Sequence, residues 1–334
     1  MKPISALFPS LLTPQKVVIT THQKPDADAM GSSLSLAQYL SKKGHEVTVI
    51  APTNWAGWVN WMPGAATVIN YEKQKEKADV ILDNSTILFC LDFNAFSRTK
   101  TMAAKLTQLT CTKVLIDHHQ DPAIDSFHFG INDTAKSSTC EMIYDLIKEA
   151  GDLSLIDVPI AECIYAGLVA DTGSFRFASA HAGVHTIVVD LKSRGLDHGK
   201  IHEGLYDNFL ENRLRFIGYV LLHRMEILYE YNTALITISN SDLLKFQIKT
   251  GDIDGLVNYP HSIQGIKMVA LVIDREEERK WSFRSKGSFD CNTFAQTFFE
   301  GGGHFNAAGG KSSDSLDKTV ARFKEIIKTQ SSLI

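Results

Sequence analysis

The stretch Val17-Val18-Ile19-Thr20-Thr21 leads straight into His22-Gln23-Lys24-Pro25-Asp26-Ala27-Asp28. Five consecutive apolar or β-branched residues predict a buried strand, and the polar residues after it predict a turn at its carboxyl end. Working outward, residues 34–43 have the pattern of a helix closed by Gly44, and residues 46–50 (EVTVI) that of a second strand. The runs ILFCL (87–91) and KVLI (113–116) read as central strands, and helices are expected over 139–150 and 160–170, with Gly151 as the stop signal between them. Strands alternating with helices predict an α/β fold with a parallel sheet covered on both faces. In such sheets the ligand crevice lies beyond the carboxyl ends of the strands.

The 334 residues exceed one ordinary domain. A charged amphipathic stretch over about 197–230 has little strand character and reads as a helical connector. Beyond it, 233–239, 266–273 and 282–285 read as strands, and 293–299 and 316–328 as helices. The expected organisation is a parallel-sheet domain over 1–195, a connector over 196–230 and a smaller α/β domain over 231–334.

Hydrophobic residues make up 44% and charged residues 22%, a globular balance that argues against disorder. Lys plus Arg number 34 against 38 for Asp plus Glu, a formal net charge of −4. Proteins that track long duplex nucleic acid carry a basic excess, so a small anionic substrate held by a few local groups is expected instead. Five scattered cysteines (Cys90, Cys111, Cys140, Cys163, Cys291), never in a CxxC pair, fit reduced thiols rather than a disulfide framework. The N-terminal apolar stretch is broken by Pro9 and too poor for a signal peptide, and no run approaches the ~18 apolar residues of a membrane span. A cytoplasmic location without a membrane partner is expected, and a homodimer is compatible with the sequence.

Four segments carry the chemistry, each at the end of an expected element. The first holds His22, Asp26 and Asp28. Alternation along an extended chain would turn all three one way, with Pro25 biasing Lys24 toward extended geometry. Gly31, Ser32 and Ser33 would then open a helix whose N–H groups suit a phosphate. The second segment is Asp92, after ILFCL. The third is Asp117-His118-His119, after KVLI. The fourth is Asp171-Thr172-Gly173-Ser174-Phe175, where a helix gives way to a turn. His22, Asp26, Asp28, Asp92, His118 and Asp171 offer carboxylate oxygen and imidazole nitrogen with no thiolate. That donor set favours Mn²⁺ or Mg²⁺ over structural zinc, and the imidazoles tip it toward manganese. Asp92 is the natural bridge, because a carboxylate can span ions roughly 3.5–4 Å apart that activate a water and clamp phosphoryl oxygens. A lone Asp at a strand end is more often a cap, but a cap has no use for the two imidazoles of Asp117-His118-His119. His181 and His185, spaced i, i+4, read as a solvated helix face. Trp55, Trp58 and Trp61 read as core or lid packing, and Arg98 as a phosphate contact or a surface ion pair.

These motifs resemble those of the DHH phosphoesterase superfamily. HQKPDADAMGS (22–32), LDF (91–93), IDHH (116–119) and ADTGSF (170–175) match its four N-terminal motifs in order. SFRS (282–285) and GGGHFNAAGG (301–310) are similar to its DHH-associated C-terminal domain. The resemblance implies one Mn²⁺ held by His22, Asp26 and Asp92, and a second held by Asp28, Asp92, His118 and Asp171. It further implies that His119 contacts the phosphate or assists a metal-bound hydroxide, while Asp117 orients an imidazole. Arg284, Gly302, Gly303 and His304 match substrate-binding positions, through a planar guanidinium fork and glycines that let backbone N–H groups approach an anion. On this resemblance 1–195 is the catalytic domain, 231–334 binds substrate, and the cleft lies between them.

The branch most similar in motif is that of bacterial nano-RNases with pAp phosphatase activity. It implies Mn²⁺-dependent hydrolysis of short RNA oligonucleotides to mononucleotides, removal of the 3′-phosphate of pAp, or both. A cyclic-dinucleotide or pApA phosphodiesterase is the near alternative, and a catalytically silent nucleotide-binding sensor the alternative of another class. A complete ligand set argues against the last.

Overall fold

The computed structural model describes residues 1–249, 251–275 and 278–330; residues 250, 276, 277 and 331–334, part of the expected 231–334 domain, lie outside the described residues. The chain forms two compact units, Met1–Asn208 and Phe209–Ile334.

The first unit is built on seven strands: β1 (Lys2–Pro3), β2 (Lys16–Thr20), β3 (Glu46–Ala51), β4 (Ile69–Asn70), β5 (Ile87–Leu91), β6 (Thr112–Asp117) and β7 (Phe129–Asn132). They lie in the order β1-β7-β6-β5-β2-β3-β4, and every pairing is parallel. Its helices are α1 (Ala27–Lys42), α2 (Lys75–Asp83), α3 (Ala103–Gln108), α4 (Thr139–Glu149), α5 (Val158–Asp171), α6 (Ala182–Ser193) and α7 (His198–Tyr206). The reason for the near-continuous apolar runs is that both sheet faces are covered. Val17, Ile19, Phe89, Leu91, Val114 and Ile116 enter one core, and the alternate residues Val18, Leu88, Cys90 and Leu115 enter another. Chain order reverses between β2 and β5, so the crevice of such a sheet opens there, beyond Thr20 and Leu91. His22, Asp92 and Asp117 stand at or just past the ends of β2, β5 and β6.

Among the described residues, the second unit has a six-stranded mixed sheet. Its strands are β8 (Met225–Leu228), β9 (Thr233–Ile238), β10 (Met268–Arg275), β11 (Glu278–Ser285), β12 (Gly302–His304) and β13 (Ala307–Ser312), in the order β12-β13-β11-β10-β9-β8. Helices α8 (Glu211–His223), α9 (Asn240–Lys245), α10 (Cys291–Phe298) and α11 (Leu316–Gln330) complete it. Trp281, Phe283, Phe294, Phe299 and Phe323 pack as an aromatic cluster in its core. Thus both units are α/β, the first parallel and the second smaller. No helix among the described residues is long and apolar enough to cross a membrane.

Three local expectations are corrected. The stretch 197–230 is not purely helical: α7 lies in the first unit, α8 in the second, and β8 pairs antiparallel with β9. Lys24 is left-handed (φ 51°), not extended, so Pro25 does not enforce alternation there. Helix α1 begins at Ala27, capped by Asp26, which leaves Gly31, Ser32 and Ser33 buried inside it rather than opening it. Their N–H groups are therefore in the helix ladder, and Gly31 instead permits close packing. A Cβ there would stand 2.4 Å from the Cys163 carbonyl oxygen of α5.

Candidate metal centre

The loop after β2 turns sharply at Lys24, where the backbone N–H donates to Thr53 Oγ1 (2.6 Å). Asp26 then caps α1, its Oδ1 accepting from the N–H groups of Asp28 (3.0 Å) and Ala29 (3.1 Å). Asp28 is thereby carried in the first helical turn, fully buried. His22, Asp26 and Asp28 converge through this turn-to-helix geometry and not through strand alternation.

Asp92 follows β5 in the left-handed region (φ 63°), an uncommon conformation for a residue other than glycine and one that functional sites retain. It is 2% exposed, and its two oxygens face different partners. Oδ2 is 3.4 Å from His22 Nε2, while Oδ1 is 3.4 Å from His118 Nε2 and 3.7 Å from His119 Nδ1. His118 Nε2 is also 3.8 Å from Asp28 Oδ2 and 3.4 Å from Asp171 Oδ2. His22 Nε2 is 3.9 Å from Asp26 Oδ2. Two ligand groups, His22 with Asp26 and Asp92, and Asp28 with Asp92 and His118, therefore share one carboxylate, the donor atoms within each group lying within 4.8 Å of one another. They can bind one or two divalent ions.

The imidazoles are held in the tautomer such binding needs. His22 Nδ1 donates to the Gln23 carbonyl (2.8 Å) and His118 Nδ1 to the Lys136 carbonyl (3.3 Å), which turns both Nε2 atoms toward the carboxylates. Asp117 Oδ1 accepts from His119 Nδ1 (2.8 Å), so Asp117 orients that imidazole. Asp171 ends α5, and Gly173, Ser174 and Phe175 after it are all left-handed (φ 57°, 59° and 62°). Thr172 Oγ1 secures that turn by accepting from Phe175 N (2.9 Å).

Crowded acids titrate apart. Burial, and then the neighbouring Asp92 charge, push the Asp28 carboxyl up to about 7. Burial and the charges of Asp28 and Asp26 hold Asp171 well above the carboxylate range. For Asp92, burial opposes ionisation but the adjacent imidazoles of His118 and His22, each 3.4 Å away, overcome it, holding it well below that range. Burial would lower both imidazoles, yet Asp92 and its acidic neighbours raise His22 and hold His118 well above the usual value. The site therefore gathers one ionised carboxylate, Asp92, between two imidazoles and beside two acids that hold their protons to higher pH, and a cation bound by such groups would displace those protons.

Several contributors carry no motif of their own in the sequence. Thr139 N and Cys140 N at the start of α4 donate to Asp28 Oδ2 (2.7 Å) and Oδ1 (2.9 Å), and Thr139 Oγ1 donates to Asp92 Oδ1 (3.1 Å). Asn132, ending β7, donates through Nδ2 to Asp117 Oδ2 (3.1 Å) and to the His119 carbonyl (2.9 Å). The available signal was Ser138 followed by Glu141, the pattern of a capped helix start. Gly167 is required by the same packing, since a Cβ there would meet Cys140 Sγ at 2.3 Å and Asp28 Oδ1 at 2.6 Å. Gly167→Ala is expected to cost about 1–3 kcal/mol through overpacking. Metal-free thermal unfolding checks this, and an unchanged Tm would refute the packing argument.

His181 is not on a helix face. It caps α6, with Nδ1 accepting from Gly183 N, and its Nε2 stands 3.2 Å from the buried Glu141 carboxylate. His185 lies against the Phe175 ring, centroids 5.6 Å apart. Trp55, Trp58 and Trp61 pack against the first core. Arg98 makes no ion pair among the described residues, and its charge acts on His22.

In the second unit, Arg284 on β11 and His304 on β12 both pair with Ala307 of β13, so one rung carries both and turns them to the same sheet face. The glycines before His304 are demanded by packing: a Cβ on Gly301 would lie 1.9 Å from the Gly309 carbonyl oxygen, and one on Gly303 2.6 Å from that of Ala307. Gly302 sits in β12, and Asn292 Oδ1 accepts from Gly303 N (2.8 Å).

Comparison with known proteins agrees with this architecture. Residues 16–168 match the DHH family N-terminal domain, and residues 232–329 the DHHA1 domain. The crystal structure of an exopolyphosphatase-related protein from Bacteroides fragilis is 35% identical and superposes with a TM-score of 0.93, covering 99% of this chain and 96% of its own. The bifunctional oligoribonuclease and PAP phosphatase NrnA of Thermus thermophilus is 27% identical over 94% of this chain and 90% of its own length. The protein of the same name from Bacillus subtilis is 27% identical over 93% and 95%. The chain belongs to the DHH superfamily of phosphoesterases, and within it resembles the nano-RNase and PAP phosphatase branch.

Proposed function

We propose that the chain hydrolyses short oligoribonucleotides to mononucleotides and removes the 3′-phosphate of pAp, using two divalent ions, Mn²⁺ in preference to Mg²⁺. The observation that carries the catalytic part is Asp92, whose two oxygens face two separate histidine-containing groups. In this reading His22, Asp26 and Asp92 hold one ion, and Asp28, Asp92, His118 and Asp171 hold the other. The ions supply an activated water and positive charge on the phosphoryl oxygens. Asp117 keeps His119 oriented for contact with a phosphoryl oxygen or for proton transfer. Arg284 and His304, on one rung, recognise a substrate phosphate, with Gly302 and Gly303 shaping the backbone beside them. The substrate class rests on the activities named for the Thermus thermophilus and Bacillus subtilis relatives and on the net charge of −4, which suits small anions better than long duplexes.

The test is one panel with Mn²⁺: pAp, RNA dinucleotides, RNA pentamers, pApA and cyclic di-AMP. The expected result is rapid release of mononucleotides from the dinucleotides and of phosphate from pAp. Preferential turnover of the cyclic dinucleotide would move the chain to the phosphodiesterase alternative, and turnover of none would defeat the enzymatic reading.

A further inference from the structure

We propose that Thr139 is a positioning residue for the metal centre, its hydroxyl locking the orientation of the shared Asp92 carboxylate. The proposal rests on the dinuclear reading above and adds a residue that ligates nothing itself. Residues 136–140 touch three ligands at once. The Lys136 carbonyl accepts from His118 Nδ1, the backbone N–H groups of Thr139 and Cys140 take both oxygens of Asp28, and the Thr139 hydroxyl donates to Asp92 Oδ1. Thr139 alone among these reaches two carboxylates, Asp28 through its backbone and Asp92 through its side chain.

The segment is itself rigidly held. Glu141, 1% exposed, accepts from Ser137 N and Ser137 Oγ (both 2.8 Å) and from Lys136 Nζ (3.0 Å), while Ser138 Oγ caps α4 by accepting from Glu141 N (3.1 Å). Thr139 is fully buried, and its hydroxyl, in donating to Asp92 Oδ1, restrains rotation of that carboxylate about its last bond. This matters because Asp92 must present Oδ2 toward His22 and Oδ1 toward His118 together. A carboxylate turned away from that plane serves one group at the expense of the other.

Thr139→Val keeps the shape and the N–H donated to Asp28, and removes only the hydroxyl. Thr139→Ser keeps the hydroxyl. Calorimetric Mn²⁺ titration of the full chain is expected to show affinity weakened by roughly 10–100-fold in Thr139→Val, the range for outer partners of metal ligands, and restored to within about threefold of wild type in Thr139→Ser. At saturating Mn²⁺, kcat with a dinucleotide should fall while KM stays near wild type. Thr139→Ala should repeat the loss if the valine variant folds poorly, with metal-free Tm reporting folding separately. Wild-type Mn²⁺ affinity in well-folded Thr139→Val, or failure of Thr139→Ser to restore it, overturns the positioning role and leaves the metal reading standing. Absence of Mn²⁺ binding by the wild-type chain overturns both.

Discussion

Asp92→Asn is expected to lower hydrolysis of an RNA dinucleotide by about three orders of magnitude or more, with its fold intact. Asparagine tolerates the left-handed backbone that Asp92 adopts, so the substitution does not strain the turn. What it removes is the negative charge and one oxygen of the carboxylate facing both His22 and His118. The replacing NH₂ group donates hydrogen bonds and cannot ligate a cation. Several kcal/mol of transition-state charge stabilisation are attributed to such ions, and each 1.36 kcal/mol is tenfold in rate. Initial rates with Mn²⁺ at saturation check this. A variant that folds normally and keeps a tenth of wild-type activity would show that Asp92 is not shared.

The second large effect is on stability. Asp28 titrates at about 7 in the metal-free fold, against about 3.9 for an unfolded chain. An acid whose pKa is raised by folding keeps a proton that the unfolded chain has released, so stability falls as pH rises between those values. Asp171 acts in the same sense. His118 and His22 are also raised, and the stability they contribute is full below about 6.5 and lost as pH climbs through their folded values. Asp92 runs the other way, but its contribution disappears only on acidification below about 4. Metal-free Tm is therefore expected to drop by several degrees between about pH 5.5 and about pH 8. On the proposed function, Mn²⁺ is expected to reverse the trend, because its ligands would bind it deprotonated. The gap in Tm with and without Mn²⁺ should widen with pH; a constant gap would contradict the protonation pattern.

Much of this centre was legible as pattern. The apolar runs of β2, β5 and β6 are strands because alternate residues feed two cores, and a chemistry-bearing group lies at or just past the end of each. Parallel pairing then brings their ends together at the switch between β2 and β5. The geometry that shapes the first motif was hidden. Alternation along a strand does not bring His22, Asp26 and Asp28 together; the left-handed Lys24 and the Asp26 cap do. Positive φ at lysine, aspartate and phenylalanine carries no compositional mark, unlike glycine. Gly31 reads as the opening of a helix whose N–H groups suit a phosphate, but it lies inside α1 and its missing Cβ serves helix contact. Thr139 and the Lys136 carbonyl were invisible for another reason: a backbone atom has no signature in composition, and a threonine at a helix start reads only as a cap.

The most direct test is anomalous diffraction from crystals grown with Mn²⁺, recorded at the manganese edge. The account predicts two peaks roughly 3.5–4 Å apart, one on each side of the Asp92 carboxylate, with His22 against one and His118 against the other. A single peak remote from Asp92, or two peaks that share no ligand, would contradict it.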